Sequence, residues 1–273
     1  MTEQPIIALQ TLPASHLSRL QAFIPELIAE RRKRTRQRFW DWLQIDDARY
    51  FIKTTQLDST AAKLRVSLGL RRRSGARDWP IAELRNCRKV NLRTQAAPKL
   101  LGYSKVRNTI GLVSEVVLIH EDLTEHIDGP QWVKRYQSEL TRLIPRLIDC
   151  ILELNRLHIH HLDLWLGNFM LTDSPEPRVR VIDFENCFLR PTKYLPETLG
   201  YQLGILYEYE LHKHMNEVEY DRLTRAAAAS LTAAERQRFE RFYGYYKHHG
   251  AGRKERYLIP KLGQHVAGKK SPR

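Results

Sequence analysis

The sequence predicts an α+β fold in two parts, a small strand-rich part over residues 1–120 and a helical part over residues 121–273. Three observations predict it. Aromatic and β-branched runs at residues 38–43 and 50–54 flank Asp46-Asp47 as the two arms of a hairpin. Further strand-like runs follow at 100–104 and 110–120. Beyond them the period changes: Leu143, Leu147, Ile148, Ile151, Leu154 and Leu157 recur at helical spacing over residues 140–158.

Taken in order, residues 15–30 read as an amphipathic helix with Leu17, Leu20, Ile24, Leu27 and Ile28 on one face. Ser15 is its candidate cap and Pro25 marks a kink. This apolar face runs into a basic cluster, a pattern that suits packing on the protein's own core or lying on an anionic membrane. Residues 57–77 are basic and carry no clean period. Asp78 and Pro80 then supply a cap and an N-terminal proline for a helix bearing Ile81, Leu84 and Cys87. In the second part, Pro145 marks a split in the helix over 140–158. A loop from 161, strands at 169–172 and 179–184, and helix over 200–248 complete the chain. No repeat or low-complexity segment interrupts it.

With 42% hydrophobic and 28% charged residues among 273, the composition is that of a folded protein and excludes a disordered or fibrous one. No apolar run approaches the ~20 residues that span a bilayer. The N-terminus lacks the continuous apolar core of a secretory signal. The three cysteines are odd in number and outside any metal-ligand pattern, which fits a reduced, cytoplasmic chain. The net charge of +14 is uneven: +12 over residues 1–119, −6 over 120–240 and +8 over 241–273. Arg31-Arg32-Lys33-Arg34 and Arg71-Arg72-Arg73 carry much of the first excess. Such a field attracts nucleic acid, an anionic membrane or a phosphorylated glycolipid, unless the runs are simply solvated. The histidine groups His158-x-His160-His161, His212-x-His214 and His248-His249 have no Cys or acidic partner at metal-ligand spacing and read as surface or loop residues. Arg253-Lys254-x-Arg256 and Lys269-Lys270 form a basic tail.

The chemistry lies in residues 161–171, His-Leu-Asp-Leu-Trp-Leu-Gly-Asn-Phe-Met-Leu, followed by Val181-Ile182-Asp183-Phe184-Glu185. Two carboxylates and an amide on short loops at strand ends are what a nucleotide kinase needs. One aspartate orients the attacking hydroxyl, while an amide and a second aspartate hold Mg²⁺ on the phosphates. His161 reads as a packed loop residue.

These motifs resemble the catalytic loop and metal-binding motif of the protein-kinase-like superfamily, whose pattern is His-Arg-Asp-x-x-x-x-Asn followed by Asp-Phe-Gly. The resemblance implies a two-lobed fold with Asp163 as catalytic base and Asn168 and Asp183 as Mg²⁺ ligands. Lys53, in a Tyr-Phe-Ile-Lys strand context, stands where the family's phosphate-binding lysine does, and Glu83 is its partner on the following helix. Leu162 replaces the loop arginine, Glu185 replaces the glycine of Asp-Phe-Gly, and no Ala-Pro-Glu follows. Leu195-Pro196-Glu197 comes only 12 residues after Asp183 and leads into helix, which leaves little room for a protein-substrate platform. These departures point to a small-molecule or sugar acceptor. No glycine precedes Gly69, so a Gly-rich phosphate loop is absent ahead of Lys53, and the Asp46-Asp47 turn or another segment would have to cover the nucleotide.

Over roughly residues 35–250 the chain is most similar to the lipopolysaccharide core kinases of Gram-negative bacteria, the Kdo/WaaP family. A long basic insertion separates Lys53 from Glu83, and Leu118-Ile119-His120-Glu121-Asp122-Leu123 is similar to the family's hinge, with Ile119 and Glu121 at the nucleotide. That resemblance implies phosphorylation of a heptose or Kdo hydroxyl on the lipid-A-linked core oligosaccharide, with ATP and Mg²⁺, at the cytoplasmic face of the inner membrane. No stable protein partner is expected, and the net negative charge of residues 120–240, which hold the chemistry, argues against nucleic acid. A kinase of choline or an aminoglycoside, and a degenerate kinase-fold scaffold that binds membrane or nucleic acid, are the competing readings.

Overall fold

Leu20, Ile24, Leu27 and Ile28 form the buried stripe of α1 (Ala14–Lys33). The computed structural model describes residues 5–73 and 75–264. Two units divide the chain, Met1–Leu123 and Thr124–Arg273. In the first, β1 (Ile7–Ala8), β2 (Arg38–Ile45), β3 (Ala48–Gln56), β4 (Leu100–Arg107) and β5 (Val113–Glu121) make one antiparallel sheet in the order β1-β4-β5-β3-β2. The α1 stripe packs on Phe39, Ile45, Tyr50, Ile52, Val106, Val117 and Ile119 of that sheet, so this face serves the core.

Two details of α1 differ from expectation. Pro13 precedes the helix without a side-chain cap, which puts Ser15 inside the first turn. Pro25 does not break the helix, because the residues buried on both sides of it outweigh one lost backbone bond. The basic run also splits. Arg31 is only 3% exposed and donates from Nε and Nη2 to Glu115, itself 1% exposed, at 3.1 and 3.3 Å. Its remaining guanidinium nitrogen donates to Arg36 C=O and Gln56 Oε1, and Thr54 Oγ1 donates to Glu115. Breaking such a pair from one side strands a buried cation. Glu115→Ala is therefore expected to cost ~3–5 kcal/mol of stability in a denaturant melt. Loss of only a few tenths would mean that the pair is solvated.

Residues 57–77 contain α2 (Thr60–Ser67), capped by Ser59, whose hydroxyl accepts from Ala62 N–H. Only Ala62 and Val66 of it are buried, too few to show a period. Next comes α3 (Trp79–Asn91), with Asp78 as its N-cap residue and Pro80 in its first turn. The Asp78 carboxylate does not cap; it is taken by Arg65 and Arg72. The strand expected from 110 starts at Val113, because Gly111, at φ 80°, is in the preceding turn.

The second unit begins with β6 (His126–Asp128), α4 (Gly129–Arg135) and α5 (Leu140–Arg156). Pro145 lies inside α5 and does not split it; Leu143, Ile144, Leu147 and Ile148 are buried around it. Then follow β7 (His160–His161), β8 (Phe169–Thr172), β9 (Val179–Val181) and β10 (Cys187–Phe188). β6, β8 and β9 form one small sheet, and β7 pairs with β10. The stretch expected as helix over 200–248 is three helices, α6 (Leu195–Tyr209), α7 (Glu217–Ala227) and α8 (Ala233–Tyr246). Thr232 and Glu235 start α8 with a capping box. Gly200 lets α6 meet α8: a Cβ there would lie 2.4 Å from Phe239 C=O. Arg253, Lys254 and Arg256 belong to α9 (Arg253–Leu262), an ordered helix whose Ile259 joins Leu162, Tyr201, Ile205, Phe242 and Tyr246 in the core. Lys269 and Lys270 lie outside the described residues. Among the described residues, no helix is long and apolar enough to cross a membrane.

Candidate active site

In the first unit, β3 carries Lys53 between Trp40 of β2 and Leu118 of β5. Its Nζ donates to Glu83 Oε1 at 2.7 Å, and Glu83 is buried on α3. The strand lysine and the helix glutamate are therefore brought together. Ile119 is different: it is fully buried and paired on both sides, with Ile52 and with Gly102, so its side chain belongs to the core. Glu121, at the end of β5, accepts from Lys99 N–H at 3.0 Å. The Asp46-Asp47 turn closes the β2–β3 hairpin with Asp46 at φ 51°. Asp46 faces His16 and Arg19 of α1, and a turn of two carboxylates is no cradle for phosphate.

In the second unit, the residues of the 161–168 loop are held by backbone and buried side chains. His161 is fully buried: its Nδ1 accepts from Asp163 N–H at 3.2 Å, and its Nε2–H donates to Ile182 C=O at 3.1 Å. These partners fix one neutral tautomer, and burial lowers the pKa against the pull of Asp163. Asn168 donates its side-chain amide N–H to Asp163 backbone C=O at 2.8 Å, and its backbone C=O accepts from Ile182 N–H at 3.0 Å. The loop of Asp163 and Asn168 is thus stitched to the strand end that carries Asp183. Asp183 takes φ 63°, a left-handed conformation that aspartate and asparagine tolerate better than most residues. The Asn168 amide nitrogen is committed to Asp163 C=O, so its amide oxygen is the atom that could serve a metal. An amide oxygen and a carboxylate are hard donors that suit Mg²⁺.

The motif spacing did not reveal the supports of this loop. Tyr201 OH donates to Leu162 C=O at 2.7 Å and Gln202 Nε2 donates to His161 C=O at 2.9 Å, both from α6. Asn155 donates to Gln202 Oε1 at 2.7 Å and lies 2.8 Å from His160 Nδ1. Of the histidines expected at the surface or in loops, His160 and His161 are buried supports of this loop, while His158, His212, His248 and His249 are exposed. Most consequential is Arg256 of α9. It donates to the Asp163 carboxylate, to Tyr209 OH at 3.0 Å and to Ala251 C=O at 3.0 Å. Burial opposes the Arg256 charge, but Tyr201, Asp163 and Tyr209 raise its pKa. Asn186 also donates to Asp163, at 3.3 Å, and Arg253 donates to Glu185 at 2.7 Å. No signal in the sequence marks Arg256, which reads as one more residue of a basic tail.

Burial holds two further histidines neutral, His160 at a pKa of about 4 and His120 at about 3, the latter with help from the Lys53 charge. Both values are depressed relative to an unfolded histidine near 6.5, so the unfolded chain binds more protons in acid. Stability should fall as pH drops from about 6.5 towards 4, by up to ~1.4 kcal/mol per pH unit for each histidine. Thermal melts at pH 7 and pH 5 check this; equal midpoints would show that these histidines are free to ionise.

The model of the lipopolysaccharide kinase (Kdo/WaaP) family matches residues 29–243, which include Lys53, Glu83, Asp163, Asn168 and Asp183. No curated protein matches the chain in sequence. Among solved structures, the autoinhibited serine kinase domain of the giant muscle protein titin is similar at 13% identity and TM-score 0.37, over 84% of this chain and 80% of that one. A Stt7 homologue from Micromonas algae, soaked with ATP, is similar at 14% identity and TM-score 0.39, over 52% of this chain and 44% of that one. Both TM-scores are below 0.5, so family membership rests on the model match. A strand-rich unit with a paired strand lysine, and a helical unit with a stitched catalytic loop, agree with that match. The chain belongs to the lipopolysaccharide kinase (Kdo/WaaP) family.

Proposed function

We propose that this kinase transfers the γ-phosphoryl group of ATP to a sugar hydroxyl, on heptose or Kdo, of the lipopolysaccharide inner core. The observation that supports the reading is the family match over residues 29–243, the span in which these five polar residues lie. In the first unit Lys53, oriented by Glu83, contacts the α- and β-phosphates. In the second, Asp163 orients the acceptor hydroxyl and takes its proton as the oxygen attacks the γ-phosphorus and the bond to the ADP oxygen breaks. Asn168 and Asp183 would hold Mg²⁺, which when bound would supply neutralisation of phosphate charge. Catalysis then rests on alignment and charge, since the protein forms no covalent bond of its own.

Two features favour an anionic or neutral acceptor over choline or an aminoglycoside. Arg256 places a guanidinium against the base, where a cationic acceptor is repelled. The net charge of residues 1–119 is +12, which attracts a phosphorylated glycolipid. The intact Lys53–Glu83 pair supports activity over a scaffold role. An acceptor on a lipid anchor would bring the enzyme to the inner face of the inner membrane as a peripheral protein. The direct assay is transfer of label from γ-labelled ATP to purified core glycolipid in Mg²⁺. Label in the sugar supports the reading, and label appearing only in choline or an aminoglycoside would replace it.

A further inference from the structure

One loop of the first unit gathers cations and apolar side chains that neither the core nor the proposed chemistry uses. Asp58, Ser59, Arg65, Arg71, Arg72 and Arg73 line a cavity of about 600 Å³ beside α2. Asp78 anchors its wall: Arg65 donates to it at 3.0 and 2.8 Å, and Arg72 at 2.9 and 2.7 Å. One buried carboxylate thus answers two guanidinium groups. Arg71 and Arg73 add two exposed charges on the same loop. The cationic field extends past them, since Arg77 has its charge disfavoured first by burial and then by Arg85 and Arg71. Four arginines against Asp58 and Asp78 leave the cavity with net positive charge.

The apolar half of the feature lies alongside. Leu64 is 47% exposed, Leu68 62% and Leu70 53%. Leu64 and Leu68 are one helical turn apart at the end of α2, and Leu70 leads directly into Arg71. The loop is compact: Arg72 N–H donates to Ala76 C=O, Gly75 N–H to Arg72 C=O and Leu70 N–H to Arg65 C=O, each at 2.8 Å. Leucines beside arginines on a fixed loop match a surface that is anionic outside and apolar just beneath. A nucleic-acid backbone offers the first and not the second.

We propose that the α2 end and the 68–73 loop form a docking site for a bilayer surface, in which the arginines take phosphate oxygens of anionic lipid headgroups and Leu64, Leu68 and Leu70 enter the acyl boundary. The inference deepens the lipid-linked acceptor reading and rests on it for its place in the reaction. Its test needs no acceptor sugar. The full chain is sedimented with vesicles of phosphatidylcholine alone and of phosphatidylcholine with phosphatidylglycerol. Binding to the anionic vesicles, weak binding to the neutral ones and a fall with salt are expected.

Arg71→Gln/Arg73→Gln should weaken anionic-vesicle binding by roughly 30-fold, the effect of two cations at such a surface. Leu68→Ser/Leu70→Ser should weaken it by roughly tenfold. Arg65 and Arg72 stay in place to hold Asp78, and a thermal melt checks that both variants fold. Unchanged binding in either folded variant, equal binding to neutral vesicles, or preference for duplex DNA over anionic vesicles would each overturn the proposal. A protein that labels core glycolipid yet ignores vesicles would refute this docking site alone. One that binds vesicles yet transfers no phosphate to core sugar would refute the acceptor reading alone.

Discussion

Asp163→Asn is expected to lower phosphoryl transfer by roughly 10²- to 10⁴-fold, the contribution of a positioned base. Asparagine is the informative replacement. Asp163 accepts from Arg256 and Asn186, and Arg256 is largely buried, with Tyr209 and Ala251 as its other hydrogen-bond partners among the described residues. Asp163→Ala would leave that guanidinium without its carboxylate, at a cost of ~3–5 kcal/mol, and would mix a folding defect with a catalytic one. Asparagine keeps an acceptor for Arg256 and removes only the base. Transfer measured with γ-labelled ATP, beside a thermal melt of the same sample, separates the two effects. Wild-type rates in a folded Asp163→Asn protein would remove Asp163 from the chemistry.

Asp183→Asn should lower Mg²⁺-dependent transfer by at least roughly 10²- to 10³-fold, since a metal that neutralises phosphate charge is worth several kcal/mol in the transition state. The φ of 63° at this position makes asparagine the tolerated replacement, whereas a β-branched residue would be strained. The hydrogen bonds of Ile182 to Asn168 and His161 are made by backbone atoms of its neighbour and survive the change. Titrating nucleotide with and without Mg²⁺ reads the effect directly. The variant should lose the Mg²⁺-dependent part of ATP affinity and keep the rest. Full Mg²⁺ dependence in Asp183→Asn would assign the metal to other ligands.

What the sequence reveals here depends on how local the cause is. Asp163, Asn168 and Asp183 are legible because each stands at a fixed short distance from the next, on loops bounded by apolar strands. Lys53 is legible from its strand, and Glu83 from its helix, since each element declares its own period. Arg256 is not legible: its contact with Asp163 spans 93 residues and exists only because Ile259 docks α9 into the core around Leu162. Arg31 is hidden for the same reason, because a run of basic residues looks solvated until Glu115 is folded against one of them. Tyr201 and Gln202 read as ordinary helix residues, and their donors find the catalytic-loop carbonyls only after α6 packs. At Pro25 and Pro145, local propensity loses to burial on both sides of the proline. Ile119 shows the opposite limit: a position matched by resemblance is, in the sheet, a core side chain.

Mass spectrometry of lipopolysaccharide core isolated from cells with and without this gene reads the proposed phosphorylation directly. Cells lacking it are expected to lose one phosphate from a heptose or Kdo residue of the inner core, and Asp163→Asn is expected to fail to restore it while the wild-type chain does. An unchanged phosphate count on the core would contradict the proposed phosphorylation.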